Sequence, residues 1–173
     1  MNTNMSAKGG SASGGKRNST IFLQGVVVLI GIVALFIMIR FPLTEGRAVG
    51  LDLFSIYADP FIIYGYLASI AFFVALYQVF KLLGYIGCNN VFSLESVKAL
   101  RTIKYCAMIL GVLIVLAELY IRIFHATDDD PAGFVAIAIL ATFISAVVAT
   151  AAAVFERLLQ KAVDMKSEND LTV

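Results

Sequence analysis

Charge is scarce in this chain: Asp, Glu, Lys and Arg make up 14% of its 173 residues, against about 25% in an average soluble domain. Histidine occurs once, so His125 has no second imidazole with which to build a zinc set, and Asp128, Asp129 and Asp130 beside it read as a solvated loop. The two cysteines, Cys88 and Cys106, are spaced neither as a redox pair nor as a zinc site, and are expected as free thiols in a reducing compartment. There is no Gly-rich phosphate loop, no paired metal motif and no supported Ser/His/Asp set. A net charge of +1 gives no footing for nucleic acid as a direct ligand. An enzyme, a metal and a cofactor are therefore not expected. What is abundant is apolar surface. Hydrophobic residues make up 60% of the chain and the mean hydropathy is +0.90, more than one soluble core of this size can hide. This composition belongs in a lipid bilayer.

Four apolar runs are long enough to cross about 30 Å of hydrocarbon at 1.5 Å per helical residue. They lie at about 21–39, 61–80, 105–124 and 133–155. Continuous rather than alternating apolar residues make them helices, not barrel strands. Arg40-Phe41-Pro42 follows the first run where a cleaved signal would have small residues, so that run is read as a retained anchor. Ten of the thirteen basic residues fall on one side: Lys8, Lys16 and Arg17 before the first span, Lys81, Lys98, Arg101 and Lys104 in the middle loop, Arg157, Lys161 and Lys166 after the last. Positive charge stays inside, so both termini and the middle loop are expected in the cytoplasm. The predicted fold is an all-α, four-helix transmembrane bundle with two cytoplasmic amphipathic extensions.

Between the spans the sequence punctuates itself. Residues 1–20, rich in Gly, Ser, Asn and Lys, are expected to form a disordered leader. Asp59-Pro60 suits a helix start. Gly84, Gly87 and Asn89-Asn90 end one helix, and Ser93 is a candidate N-cap for the next. Leu94, Val97, Leu100 and Ile103 then form an apolar stripe, with Lys98, Arg101 and Lys104 as a basic stripe. The basic stripe suits either anionic lipid at the headgroup level or a docking protein. Past the fourth span, Phe155, Leu158, Leu159, Ala162 and Val163 keep helical spacing, so a tail over 156–173 is expected to continue the helix. Glu168, Asn169 and Asp170 in that tail are candidate docking residues.

The ending Ala162-Val163-Asp164-Met165-Lys166-Ser167-Glu168-Asn169-Asp170-Leu171-Thr172-Val173 resembles the C-terminal signature of a bacterial family of small membrane proteins, domain of unknown function 2975 (DUF2975). Phe72-Phe73-Val74-Ala75-Leu76-Tyr77-Gln78, then Phe92-Ser93 and Val97, and the four-span layout are also similar to it, over about residues 20–173. The resemblance implies an inner-membrane protein without an established activity. It also implies a possible neighbour, because members are often encoded beside a small helix-turn-helix regulator.

Within the spans, polar residues are few enough to be weighed one by one. Glu118 and Arg122 share a helix face at i,i+4, and charges at such depth cost roughly 2.5–3.5 kcal/mol each on insertion scales. They are expected to pair, as a structural contact or as a proton- or ligand-responsive site. Tyr66 and Ser69, on the antiparallel second span, are candidate hydrogen-bond partners of that pair. Gln24 and Gln78 are expected to meet in an amide–amide contact. Small residues at four-residue spacing, Ala141, Ser145, Ala149 and Ala153, with a second ladder of Ala138, Thr142, Ala146 and Thr150, predict close packing of the fourth span, inside the bundle or in a homo-oligomer. The functional expectation is a non-enzymatic membrane regulator that binds a small cytoplasmic protein. Its rival is a small transporter or self-immunity protein using Glu118.

Overall fold

The computed structural model describes residues 11–44, 60–124 and 132–170. These form four helices: α1 (Ser11–Thr44), α2 (Pro60–Gly87), α3 (Leu94–Phe124) and α4 (Ala132–Asp170). All four are long and apolar enough to cross a membrane, and no strand occurs among the described residues. α1 starts at Ser11 rather than at the apolar boundary, so the second half of the expected disordered leader is helical. The first half lies outside the described residues, as do His125 and Asp128–Asp130. Helix propagation adds one hydrogen bond per residue fixed, and an existing apolar helix extends backwards at little cost through Lys16 and Arg17.

The helices pack in chain order, α1 on α2, α2 on α3 and α3 on α4, with the last pair the most extensive. No comparable pairing joins α4 to α1. The four helices of the expected bundle thus pack, among the described residues, as an open row. Lipid tails are as apolar as leucine, so nothing compels an apolar helix to hide its remaining faces. α1 shows this directly. Over its residues 18–40, where burial is described, only Thr20, Gln24, Val27, Gly31, Ala34 and Met38 are covered, spaced alternately four and three, while Phe22, Leu29, Ile32 and Phe36 stand exposed.

The α1–α2 contact is set by small residues. A side chain at Gly87 would meet the Thr20 Cγ2 at 3.1 Å, and one at Gly84 would meet the Gln24 amide nitrogen at 3.4 Å. That gap lets Gln24 Nε2 donate to the Phe80 carbonyl at 3.3 Å. The expected amide–amide contact is therefore replaced by an amide–backbone one, and Gln78 makes no side-chain hydrogen bond among the described residues.

At the other end of the row, α4 lays Ala138, Thr142, Ser145, Ala149, Ala152, Glu156, Leu159 and Val163 inward, again by fours and threes. Of the two four-residue ladders, Ala141, Ser145, Ala149 and Ala153 are all half-buried, whereas the second leaves its face: Ala138 and Thr142 are covered but Ala146 and Thr150 are exposed. Each step of four overshoots a 3.6-residue turn by about 40°, so the true seam alternates between the two ladders.

The turn from α2 to α3 is built as its residues suggest. The Asn90 amide donates to the Tyr85 carbonyl at 2.9 Å and the Asn89 amide to the Ile86 carbonyl at 3.1 Å, the paired bonds of a Schellman end. Asn89 takes the left-handed conformation at φ 59°, which asparagine tolerates better than other residues with a side chain. Ser93 Oγ then accepts from the Ser96 amide at 3.3 Å, capping α3. Ser96 is wholly buried and donates its hydroxyl to the Asn90 carbonyl at 3.4 Å.

Candidate functional site

The turn side of the α3–α4 pair carries the densest polar chemistry. Val97, Ala99, Leu100 and Ile103 are buried, which fixes the start of α3. The basic stripe beside them divides. Arg101 Nε donates to Glu156 Oε1 at 2.7 Å, and Lys104 Nζ to Glu156 Oε2 at 2.6 Å. Both Glu156 oxygens are thus taken by cations of another helix, and its side chain is 11% exposed. Lys104 also lies 4.9 Å over the Tyr105 ring, an amphipathic pair suited to the headgroup level. Of the three basic candidates only Lys98 is left without a side-chain partner among the described residues. Glu156 was not singled out from sequence. Its signal was its place, an acid immediately after an uncharged span, on the level of a basic stripe.

Next to this clamp, Asn89, Asn90 and Phe92 of the turn face Ala162, Met165 and Lys166 of α4 across an open groove of about 360 Å³. Phe92 and Met165 are exposed in it. Its lining combines apolar Phe92, Ala162 and Met165 with the polar side chains of Asn89, Asn90 and Lys166. Gln160 Nε2 donates to Asp164 Oδ1 at 2.8 Å and Ser167 Oγ to the Asp164 carbonyl at 2.7 Å, which holds the helix through this stretch. Glu168, Asn169 and Asp170 form its last turn; residues 171–173 lie outside the described residues.

The second polar site lies in the last two turns of α3. Arg122 Nε donates to Glu118 Oε1 at 3.0 Å. Arg122 is 61% exposed and Glu118 18%. Glu118 Oε2 is buried without a hydrogen-bond partner. Tyr66 and Ser69 do not reach it. The Tyr66 hydroxyl donates to the Met38 carbonyl on α1 at 3.3 Å, and Ser69 Oγ to the Tyr66 carbonyl at 2.6 Å. Pro42 explains the first bond, since it has no N–H to give the carbonyl four residues back. Register explains why the depth estimate failed. The Tyr64 hydroxyl donates to the Leu113 carbonyl at 2.6 Å, so Tyr66 lies about two turns, roughly 10 Å, from the level of Glu118. Tyr64, not Tyr66, is the α2 hydroxyl that reaches α3. Among the small residues, Ser145 packs opposite Gly111, where an added Cβ would lie 3.6 Å from the serine Cβ. Cys88 is exposed and Cys106 buried, and no cluster of metal-ligating side chains occurs among the described residues.

Comparison with known proteins agrees with the membrane character. The family model described as "Protein of unknown function (DUF2975)" matches residues 23–173. The uncharacterized membrane protein YoaS of Bacillus subtilis (strain 168) is 43% identical over 160 residues, which is 91% of this chain and 99% of that one. No solved structure matches.

Proposed function

The chain belongs to the DUF2975 family, whose description assigns no function, and from that premise we propose that it is a non-enzymatic membrane regulator which holds a small cytoplasmic protein against the turn side of α3 and α4. In this reading the protein sits in the bacterial cell membrane, with both termini and the α2–α3 turn in the cytoplasm. The observation that carries it is the groove between Phe92 and Met165, on a helix pair locked by Glu156. A rigid platform whose lining mixes apolar and polar side chains suits a protein ligand. Arg101 and Lys104 serve the platform by joining its helices, which moves the docking surface from the basic stripe to the groove and to Glu168-Asn169-Asp170. The family resemblance suggests a helix-turn-helix protein as the occupant.

The test is affinity purification of the tagged full-length protein from its native membranes in mild detergent. A stoichiometric small DNA-binding protein should co-purify. It should be lost on deleting residues 166–173, and separately on changing Phe92 and Met165 together to Ala, with membrane insertion unchanged. Normal binding by both variants would refute the groove and the tail.

The bare Oε2 of Glu118 favours one second reading, a small transporter or self-immunity protein that handles a proton or cation at mid-membrane. Glu118→Gln would then abolish transport or resistance while leaving partner binding intact.

A further inference from the structure

The exposed face of α3 changes character along one continuous stripe. Val112, Ile109 and Met108 stand exposed, then Tyr105, then Arg101 and Lys98. Lys98 to Val112 spans about 21 Å of helix axis, close to the length from a phospholipid phosphate to the end of its acyl chains. We propose that this stripe is a binding site for one anionic phospholipid, with Lys98 and Arg101 on the phosphodiester, Tyr105 at the glycerol level and Met108, Ile109 and Val112 along an acyl chain.

Three observations make this more than a general attraction of basic residues to a membrane. First, the two cations are unspent toward the outside. Arg101 gives only its Nε to Glu156 and is 54% exposed, so its two terminal amino groups are free to fork onto a phosphate. Lys98 has no side-chain partner, and Glu95, the acid one turn before it, makes no ion pair with it. Second, the guanidinium is held in place. Glu156 is buried and also bound by Lys104, so Arg101 is oriented before any ligand arrives, which lowers the ordering cost of binding. Third, the backbone under the site is rigid, because Ser96, Val97, Ala99 and Leu100 between and beside the cations are buried. The continuity with an apolar, lipid-facing stripe selects a lipid over a soluble anion or an acidic protein. α4 supplies an internal control. Arg157 and Lys161 are also exposed, but they have neither an orienting carboxylate nor an aromatic next along the stripe, and Asp164 lies one turn from Lys161.

The experiment is native mass spectrometry of the purified full-length protein with phosphatidylglycerol or phosphatidylcholine of matched acyl chains. One phosphatidylglycerol should be retained in preference to phosphatidylcholine, and inorganic phosphate should not displace it. Lys98→Gln leaves the clamp intact and should weaken retention about fivefold, the effect of one basic residue at a charged lipid surface. The Arg157→Gln/Lys161→Gln protein should retain the lipid as wild type does. Equal retention of both lipids would overturn the proposal. So would equal losses in Lys98→Gln and in the α4 control, which would mean diffuse attraction. Loss of a co-purifying protein, rather than of lipid, in Lys98→Gln would assign the stripe to a protein partner instead.

Discussion

Among the described residues, the two carboxylates that meet arginine do opposite things with the contact. Glu156 joins two helices. Its partners lie 55 and 52 residues away, and each of its oxygens has a cation. Glu118 stays within one helix. Its partner is one turn on, one oxygen is bonded and the other is buried and bare. A carboxylate with both oxygens satisfied by cations of another helix fixes helix register, because separating the helices would strand charges. An ion pair inside one helix fixes nothing between helices, and the cost of its bare oxygen is borne by the span itself. The comparison teaches that the number of satisfied atoms and the elements they connect decide an ion pair's role, more than its residue types or its depth.

The largest test of that contrast is Glu156→Ala. It leaves Lys104 without its carboxylate across a hole, so the α3–α4 contact should lose about 2 kcal/mol, less than the roughly 3–5 kcal/mol of a fully buried pair because solvent screens the half-exposed Arg101. The measurement is reversible unfolding in mixed micelles, followed by helical circular dichroism. A loss below about 1 kcal/mol would mean that the apolar seam of Val97, Leu100, Ala152 and their neighbours sets the register alone, and that the clamp is incidental.

How much of this was legible beforehand follows the same line between local and distant. The four spans, the Asn89-Asn90 turn, the Ser93 cap and the Glu118–Arg122 spacing are written within a few residues, where hydropathy and helical periodicity act. The partners of Gln24, Tyr66 and Glu156 depend on register between helices. There an error of two turns, as for Tyr66, moves a hydroxyl about 10 Å. Part of the register was nonetheless readable. The alternating four-and-three seams on α1 and α4 are sequence patterns, and of the two ladders of small residues only the one through Ala146 and Thr150 is carried off the face by helical pitch. Pro42 freeing the Met38 carbonyl is a local rule with a distant consequence. The groove depends on where the α2–α3 turn lands against α4, which no short pattern specifies.

A finer cut separates the two cations of the clamp. Lys104 is the better buried, with its side chain 21% exposed against 54% for Arg101. Solvent screens the outer contact more, so Lys104→Gln should destabilise α3–α4 more than Arg101→Gln. A double-mutant cycle between Lys104 and Glu156 should show a coupling of about 1–2 kcal/mol. If Arg101 proves the costlier residue to change, the pair is held by the planar fork of the guanidinium rather than by burial.

Glu118→Gln should have the smallest effect on stability, and that smallness is what makes it informative. The amide keeps the shape of the carboxylate and can still accept from Arg122 at Oε1. It replaces the bare oxygen with a neutral group, whose hydrogen bonds in a membrane average about 0.6 kcal/mol. Arg122 is exposed, and its long side chain can find polar surroundings without its partner. Unfolding should therefore shift by less than about 1 kcal/mol in either direction. A shift near that of Glu156→Ala would show that Glu118 has an interhelical partner and would erase the contrast between the two sites. A negligible shift combined with a lost cellular activity would place function at Glu118 and separate it from folding, because a carboxylate whose loss leaves the fold standing acts through its own chemistry.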